Sequence, residues 1–343
     1  MASQPTIGVI GVGHLGAHHV RLLADSPLWH LAGVFDIDPN KNTTAAAQYS
    51  LPVLTSAGEL LEHCDAVVIC TPTDSHFELA RLAMERGRHV FVEKPLCASD
   101  EQAARLVMLA EQHRIIGVTG HIERFNPAFV AVLPEIVRPR FIEAHRLNQF
   151  SPRGLATDVV LELMIHDIDL VRSLVGAEPV EIRASGVPVL SETDDIANCR
   201  LAFPDGCVAN LTASRISASP MRKLRVFSTD RYTTIDLAQK TCESFQLFGP
   251  GAARGERWRP VVEWQGRMIA RRSFPPLEAN ALAAELEDFH RAITTGGAPR
   301  VDLREGAASL RVALAVAAAC REAARTDNSP EARELLTTSR PTA

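Results

Sequence analysis

Short apolar runs and longer amphipathic stretches alternate through the first 120 residues. Thr6–Ile10 and residues 31–35, 65–70, 90–92 and 115–119 are rich in Val, Ile, Ala and Leu and end at turn residues. Buried parallel strands have this pattern. Between them, residues 17–24, 56–63, 75–86 and 99–113 read as helices, with Ser56 as an N-cap and Gly87 as a stop. Such alternation predicts an α/β fold, with a doubly wound parallel sheet over residues 1–120.

The pattern changes after residue 120. Residues 141–149 alternate weakly, and 155–175 read as one helix. From 180 to 247 successive strands are separated by Pro204-Asp205-Gly206, Ser219-Pro220 and Ser228-Thr229-Asp230. Leu282, Leu286, Phe289 and Ile293 line one side of a helix over 278–294, and 303–323 is an Ala-rich helix. The expectation is a second domain over 121–325, a mostly antiparallel sheet covered by helices. A polar tail, 326–343, follows.

Composition narrows the function classes. The charged fraction of 22% and apolar fraction of 46% are those of an ordinary globular protein. A net charge of −5 argues against a nucleic-acid binder. The seven cysteines are scattered, with no CxxC and no zinc spacing, so no metal is expected and a cytoplasmic location is. No apolar stretch suits a signal peptide or membrane insertion. Among 36 Lys and Arg, only Lys41, Lys94, Lys223 and Lys240 are lysines. Lysine can surrender its proton where arginine cannot, which singles out Lys94 at the end of the strand His89-Val90-Phe91-Val92-Glu93. The alternative is a lysine capping a strand end in water.

Three motifs carry chemistry. Gly11-Val12-Gly13-His14-Leu15-Gly16 lies between a strand and a helix, where the glycines permit a tight turn, a close diphosphate and close helix packing. Asp36 ends the next strand, where a carboxylate takes a ribose 2′-hydroxyl and repels a 2′-phosphate, which favours NAD over NADP. Thr71 and Pro72 close the third strand and are expected beside the cofactor. Glu93-Lys94-Pro95 closes the fourth. Glu162 and His166 are four apart, so on one face of a regular helix. His166 is a candidate base for an alcohol proton, Lys94 a candidate to polarise the oxygen or share that role, and Glu162 a candidate to orient the histidine or hold a hydroxyl. Each also has an ordinary reading, a packed histidine or a solvated acid. Glu123, Arg124, Asn126 and Arg153 are candidates for binding substrate phosphate or hydroxyls, or for linking domains.

Together the glycine loop, Glu93-Lys94-Pro95-Leu96 and Glu162-Leu163-Met164-Ile165-His166-Asp167-Ile168-Asp169 resemble the glucose–fructose oxidoreductase / inositol dehydrogenase / MocA family. The resemblance implies a Rossmann domain followed by an α/β domain with a large open-faced sheet, which mediates homodimers or homotetramers. It implies NAD as cofactor and catalytic roles for Lys94 and His166. The acid before the histidine is most often Asp in that family and is Glu162 here. Gly120-His121-Ile122-Glu123-Arg124-Phe125-Asn126-Pro127 further resembles the enzymes that oxidise UDP-N-acetylglucosamine at C3 on the route to 2,3-diamino sugars of lipid A. The implied substrate is a UDP-sugar, and the 3-keto product would pass to a PLP-dependent aminotransferase. The alternatives are another polyol, a nucleotide-sugar uronate, or an NAD(H) sensor without catalysis.

Overall fold

A computed structural model describes residues 4–151, 157–252, 255–275 and 278–327. The chain forms two compact units. The first comprises residues up to Phe125 together with Ala279–Arg311; the second comprises Asn126–Glu278 and the chain from Val312 onward.

Five strands build the first unit: β1 (Thr6–Ile10), β2 (His30–Phe35), β3 (Ala66–Ile69), β4 (His89–Glu93) and β5 (Gly117–Gly120). They are all parallel, in the order β2-β1-β3-β4-β5. The helices between them are α1 (His14–Ala24), α2 (Pro39–Gln48), α3 (Ala57–Glu62), α4 (His76–Glu85) and α5 (Asp100–His113). Strand order reverses between β1 and β3, and in open sheets of this kind ligands bind beyond the carboxyl ends of the strands at such a point. Ser56 and Ser99 accept hydrogen bonds from Glu59 N–H and Gln102 N–H, capping α3 and α5. Helix α2 has little apolar periodicity and is absent from the sequence expectations. Its cap is Asp38, which accepts from Asn40 N–H ahead of Pro39 at the first position.

The core of this unit joins Ile7, Val9, Val34, Val68 and Phe91 to Leu286 and Phe289. The last two lie on α8 (Ala281–Thr295), which Asn280 caps. Trp29 packs on Phe289 at 5.6 Å and donates from its indole to Leu286 O at 3.3 Å.

In the second unit, α6 (Pro127–Val132) and α7 (Ile165–Val175) lie with a nine-stranded sheet. Its strands are β6 (Phe141–Leu147), β7 (Glu181–Val187), β8 (Ile196–Ala202), β9 (Val208–Ser214), β10 (Met221–Phe227), β11 (Arg231–Asp236), β12 (Thr241–Phe248), β13 (Arg259–Trp264) and β14 (Arg267–Phe274). The order is β13-β14-β12-β11-β10-β6-β9-β8-β7, antiparallel except for the β6–β9 pair. The hairpin β13–β14 extends the sheet past residue 247, where the strand pattern of the sequence fades. Its first strand is exposed throughout, so no apolar alternation marks it. Helix α9 (Leu303–Asp327) supplies Val312, Ala313, Val316 and Ala317 to this core.

One face of the sheet sends Ile142, Ala144, Leu224, Val226 and Ile235 into the core. The opposite face carries a row of half-buried rings, Phe141, Phe227, Tyr232 and Phe245, with successive centroids 5.8, 4.7 and 5.6 Å apart. Among the described residues, no helix is long and apolar enough to cross a membrane.

Candidate active site

The glycine loop leaves β1 through Gly11, whose φ of +87° a side chain rarely adopts. A Cβ on Gly16 would stand 1.8 Å from Gly11 O, so loop and helix α1 meet backbone to backbone. A Cβ on Gly13 would meet nothing within 4 Å. The loop is thus open where a diphosphate has to approach the first turn of α1, which begins at His14 and Leu15. Asp36 closes the cradle from β2: its Oδ2 accepts from Val12 N–H at 2.8 Å and its Oδ1 from Asp38 N–H at 2.9 Å. Each carboxylate oxygen keeps acceptor capacity for a ribose hydroxyl. Thr71 and Pro72 follow β3, and Ser75 Oγ donates to Pro72 O at 2.7 Å and lies 2.6 Å from Thr71 Oγ1. This loop, open cradle and ribose-side carboxylate fit a dinucleotide.

Glu93 ends β4 and is buried. Its Oε1 lies 2.8 Å from His19 Nε2, and its Oε2 accepts from Lys94 N–H at 3.2 Å. Gly120 makes room for it, since a Cβ there would stand 2.8 Å from Glu93 Oε2. Lys94 is half-buried in the turn beyond the strand, and the Lys94–Pro95 peptide is cis. His19, Cys70 and Glu93 bring ligand-type atoms within 4.8 Å of one another. Burial, with Glu93 and Glu285 adding to it, pushes the Cys70 thiol well above its ordinary value. A neutral thiol is a poor metal ligand.

Glu123 and Arg124 lie buried in a single tight turn, Ile122–Phe125. Arg124 stands 3.7 Å from Glu305, its carbonyl accepts from Arg300 at 2.9 Å, and Arg300 in turn covers the Phe125 ring at 4.8 Å. Asn126 begins the second unit. Its Oδ1 caps α6 through Ala128 N–H, and its Nδ2 donates to Leu237 O at 2.9 Å. Both ends of that amide thus have structural partners. Arg153 lies outside the described residues.

Glu162 and His166 do not share one regular helix. Val160–Met164 is a π-helical turn, and α7 begins after it. A wider turn re-aims the side chains on it and recurs at functional sites. His166 is half-buried and Asp167 buried, the latter paired with Arg146 at 2.8 and 3.1 Å. Arg215, just past β9, stands 3.4 Å from Glu162 Oε2. Arg215 also donates to Asp195 Oδ1, Thr157 O, Ser191 Oγ and Thr193 Oγ1 at 2.6–2.8 Å. Burial opposes ionisation of Asp195. Hydrogen bonds from Leu190 N–H, the Arg215 guanidinium, Val189 N–H and Ser191 N–H outweigh it and hold the carboxyl well below the usual range. Arg215, Asp195 and His19 were not among the sequence candidates. They are isolated polar residues with no spacing motif, and only the fold assembles their partners.

Residues 6–121 match an oxidoreductase family with an NAD-binding Rossmann fold, and 134–232 match the GFO/IDH/MocA C-terminal domain. UDP-N-acetylglucosamine 3-dehydrogenase of Acidithiobacillus ferrooxidans is 39% identical over 309 residues, 90% of this chain and 94% of that protein. The chain belongs to the Gfo/Idh/MocA oxidoreductases. As a member, it is an NAD-dependent dehydrogenase acting on a CH–OH group. The solved structure of the Acidithiobacillus enzyme superposes with a TM-score of 0.83 at 36% identity, covering 93% of this chain and 98% of that one. Inositol 2-dehydrogenase of Rhizobium meliloti is 28% identical over 326 residues, 89% of this chain and 94% of its own. The scyllo-inositol dehydrogenase of Lactobacillus casei, solved with NAD(H) and scyllo-inositol, shares the fold with a TM-score of 0.75 at 20% identity, covering 93% and 98%.

Proposed function

We propose that the protein oxidises the C3 hydroxyl of a UDP-sugar, UDP-N-acetylglucosamine foremost, to the 3-keto sugar. The observation that carries this reading is the 39% identity, over nearly the whole of both chains, to an enzyme of that name. When bound, NAD supplies the hydride acceptor. His166 takes the hydroxyl proton, and Lys94 orients and polarises the C3 oxygen. Glu93, fixed by His19, holds the Lys94 backbone. Glu162, 3.4 Å from Arg215, orients the histidine or accepts from a sugar hydroxyl. Glu123 and Arg124, both buried, contribute to the substrate side. The aromatic row on the second unit's sheet is the face on which copies of the chain assemble, in this reading. The enzyme works in the cytoplasm, and its keto product suits an aminotransferase.

The test is a mixture of the enzyme, NAD and UDP-N-acetylglucosamine, with a carbonyl trap to draw off the ketone. NADH absorbance should appear with this substrate and be much weaker with myo-inositol. A stronger signal with myo-inositol would move the assignment to polyols. No signal with any UDP-sugar or polyol would favour NAD(H) sensing without catalysis.

A further inference from the structure

His76 opens helix α4 and is buried, 1% exposed, inside the first unit. Its two ring nitrogens reach two different strand ends. Nε2 lies 2.8 Å from Thr71 O, in the loop after β3. Nδ1 lies 2.9 Å from Pro95 O, in the turn after β4. Both partners are carbonyl oxygens, so a ring nitrogen that carries a proton donates to the one it faces. The first carbonyl belongs to the loop expected beside the cofactor. The second belongs to the residue that follows Lys94. One imidazole thus spans the gap between neighbouring strand ends on the ligand side of the sheet.

We propose that His76 is a positioning residue that locks the Thr71 loop and the Lys94 turn together, so that cofactor and lysine keep one fixed relation. This rests on the catalytic reading of Lys94. The reason such a tie matters is geometric. Neither loop is held to the other by the sheet, because strand pairing of β3 with β4 stops at Ile69 and Val92. Beyond those residues the relative placement of the two loops falls to side chains. A displacement of about 1 Å at a reacting group lowers turnover by about a hundredfold. Glu93 cannot supply this tie, since its partners are His19 on α1 and the Lys94 N–H.

The test uses the full chain with His76→Ala and His76→Gln, with Lys94→Met in parallel. Three quantities are read: NAD affinity by calorimetry, kcat per NAD-binding site with UDP-N-acetylglucosamine, and the ring N–H correlations of His76 in 15N-histidine-labelled protein without NAD. His76→Ala should keep measurable NAD binding and lose about a hundredfold in kcat per site. His76→Gln, which restores a donor at this position, should recover part of that loss. The parent spectrum should show a hydrogen-bonded ring N–H of His76 that vanishes in both variants. The absence of any hydrogen-bonded His76 ring N–H would overturn the proposal. So would a His76→Ala or His76→Gln protein whose kcat per site equals the parent's, even if fewer molecules bind NAD. A His76→Gln protein that does not fold also overturns it, because the histidine would then be a folding requirement. If Lys94→Met turns over like the parent, the catalytic reading of Lys94 fails instead, whatever the His76 variants do.

Discussion

Arg215 and Glu162 stand 3.4 Å apart, and the same guanidinium holds Asp195 at 2.8 Å. An arginine with one deeply buried acid and one half-buried acid separates their duties. Asp195 anchors the arginine and the 189–191 backbone, while Glu162 is the more exposed of the two acids. Glu162→Gln removes the charge and keeps the shape. It should lower kcat by about a hundredfold with little change in melting temperature. Steady-state kinetics beside thermal unfolding checks this; unaltered turnover would reduce Glu162 to a structural acid.

Asp195→Asn should act on stability, and in a pH-dependent way. The carboxyl of Asp195 sits below its unfolded value. Its contribution is therefore present at neutral pH, and is lost as pH falls below about 4 toward the depressed folded value. Breaking the pair leaves a buried guanidinium without its main acid, at about 3–5 kcal/mol. Urea unfolding at neutral pH should show that loss. In acid the gap between parent and variant should narrow as the parent's own carboxyl protonates. A gap independent of pH would mean that the hydrogen bonds, not the charge, matter.

The glycine loop separates folding from binding. Gly16→Ala places a carbon 1.8 Å from a backbone oxygen, and neither partner is a flexible side chain. That variant should be strongly destabilised. Gly13→Ala meets nothing within 4 Å. It should melt near the parent temperature yet lose NAD binding, because the new methyl occupies the approach to the diphosphate. Thermal unfolding with and without NAD reads both effects. Normal cofactor-induced stabilisation of Gly13→Ala would place the diphosphate elsewhere.

Asp36→Asn should weaken NAD by about tenfold, the scale of one hydrogen bond to a charged group. It should also narrow the preference for NAD over NADP, since the repelling charge is gone. Kd values for the two cofactors, measured side by side, decide it. The Val12 and Asp38 N–H bonds to this carboxylate predict some loosening of the loop as well.

Lys94→Met should lower kcat by about a thousandfold while NAD still binds. Single-turnover kinetics with saturating NAD separates this from a binding defect. Wild-type turnover would remove Lys94 from the chemistry.

The sequence by itself determined the parallel sheet of the first unit, because buried strands and amphipathic helices impose their periods on local residue choice. It also determined the glycine loop, since Gly11 and Gly16 answer steric demands that no other residue meets. The ends of β2 to β4 located Asp36, Thr71 and Lys94 for the same local reason. Tertiary structure alone decided the rest. The apolar stripe of α8 was legible, but that stripe does not say which layer it covers; Trp29 and Phe289 meet only because the chain returns to the first unit. The π-helical turn at Glu162 leaves no mark that an α-helical pattern lacks. Asn126 reads like a ligand-binding amide, and only the fold shows that it also bonds Leu237 O and Ala128 N–H. Arg215, His19 and His76 acquire meaning from partners 19 to 74 residues away. Hydrogen bonding between side chains distant in sequence follows no period, so it becomes visible only when the chain has folded.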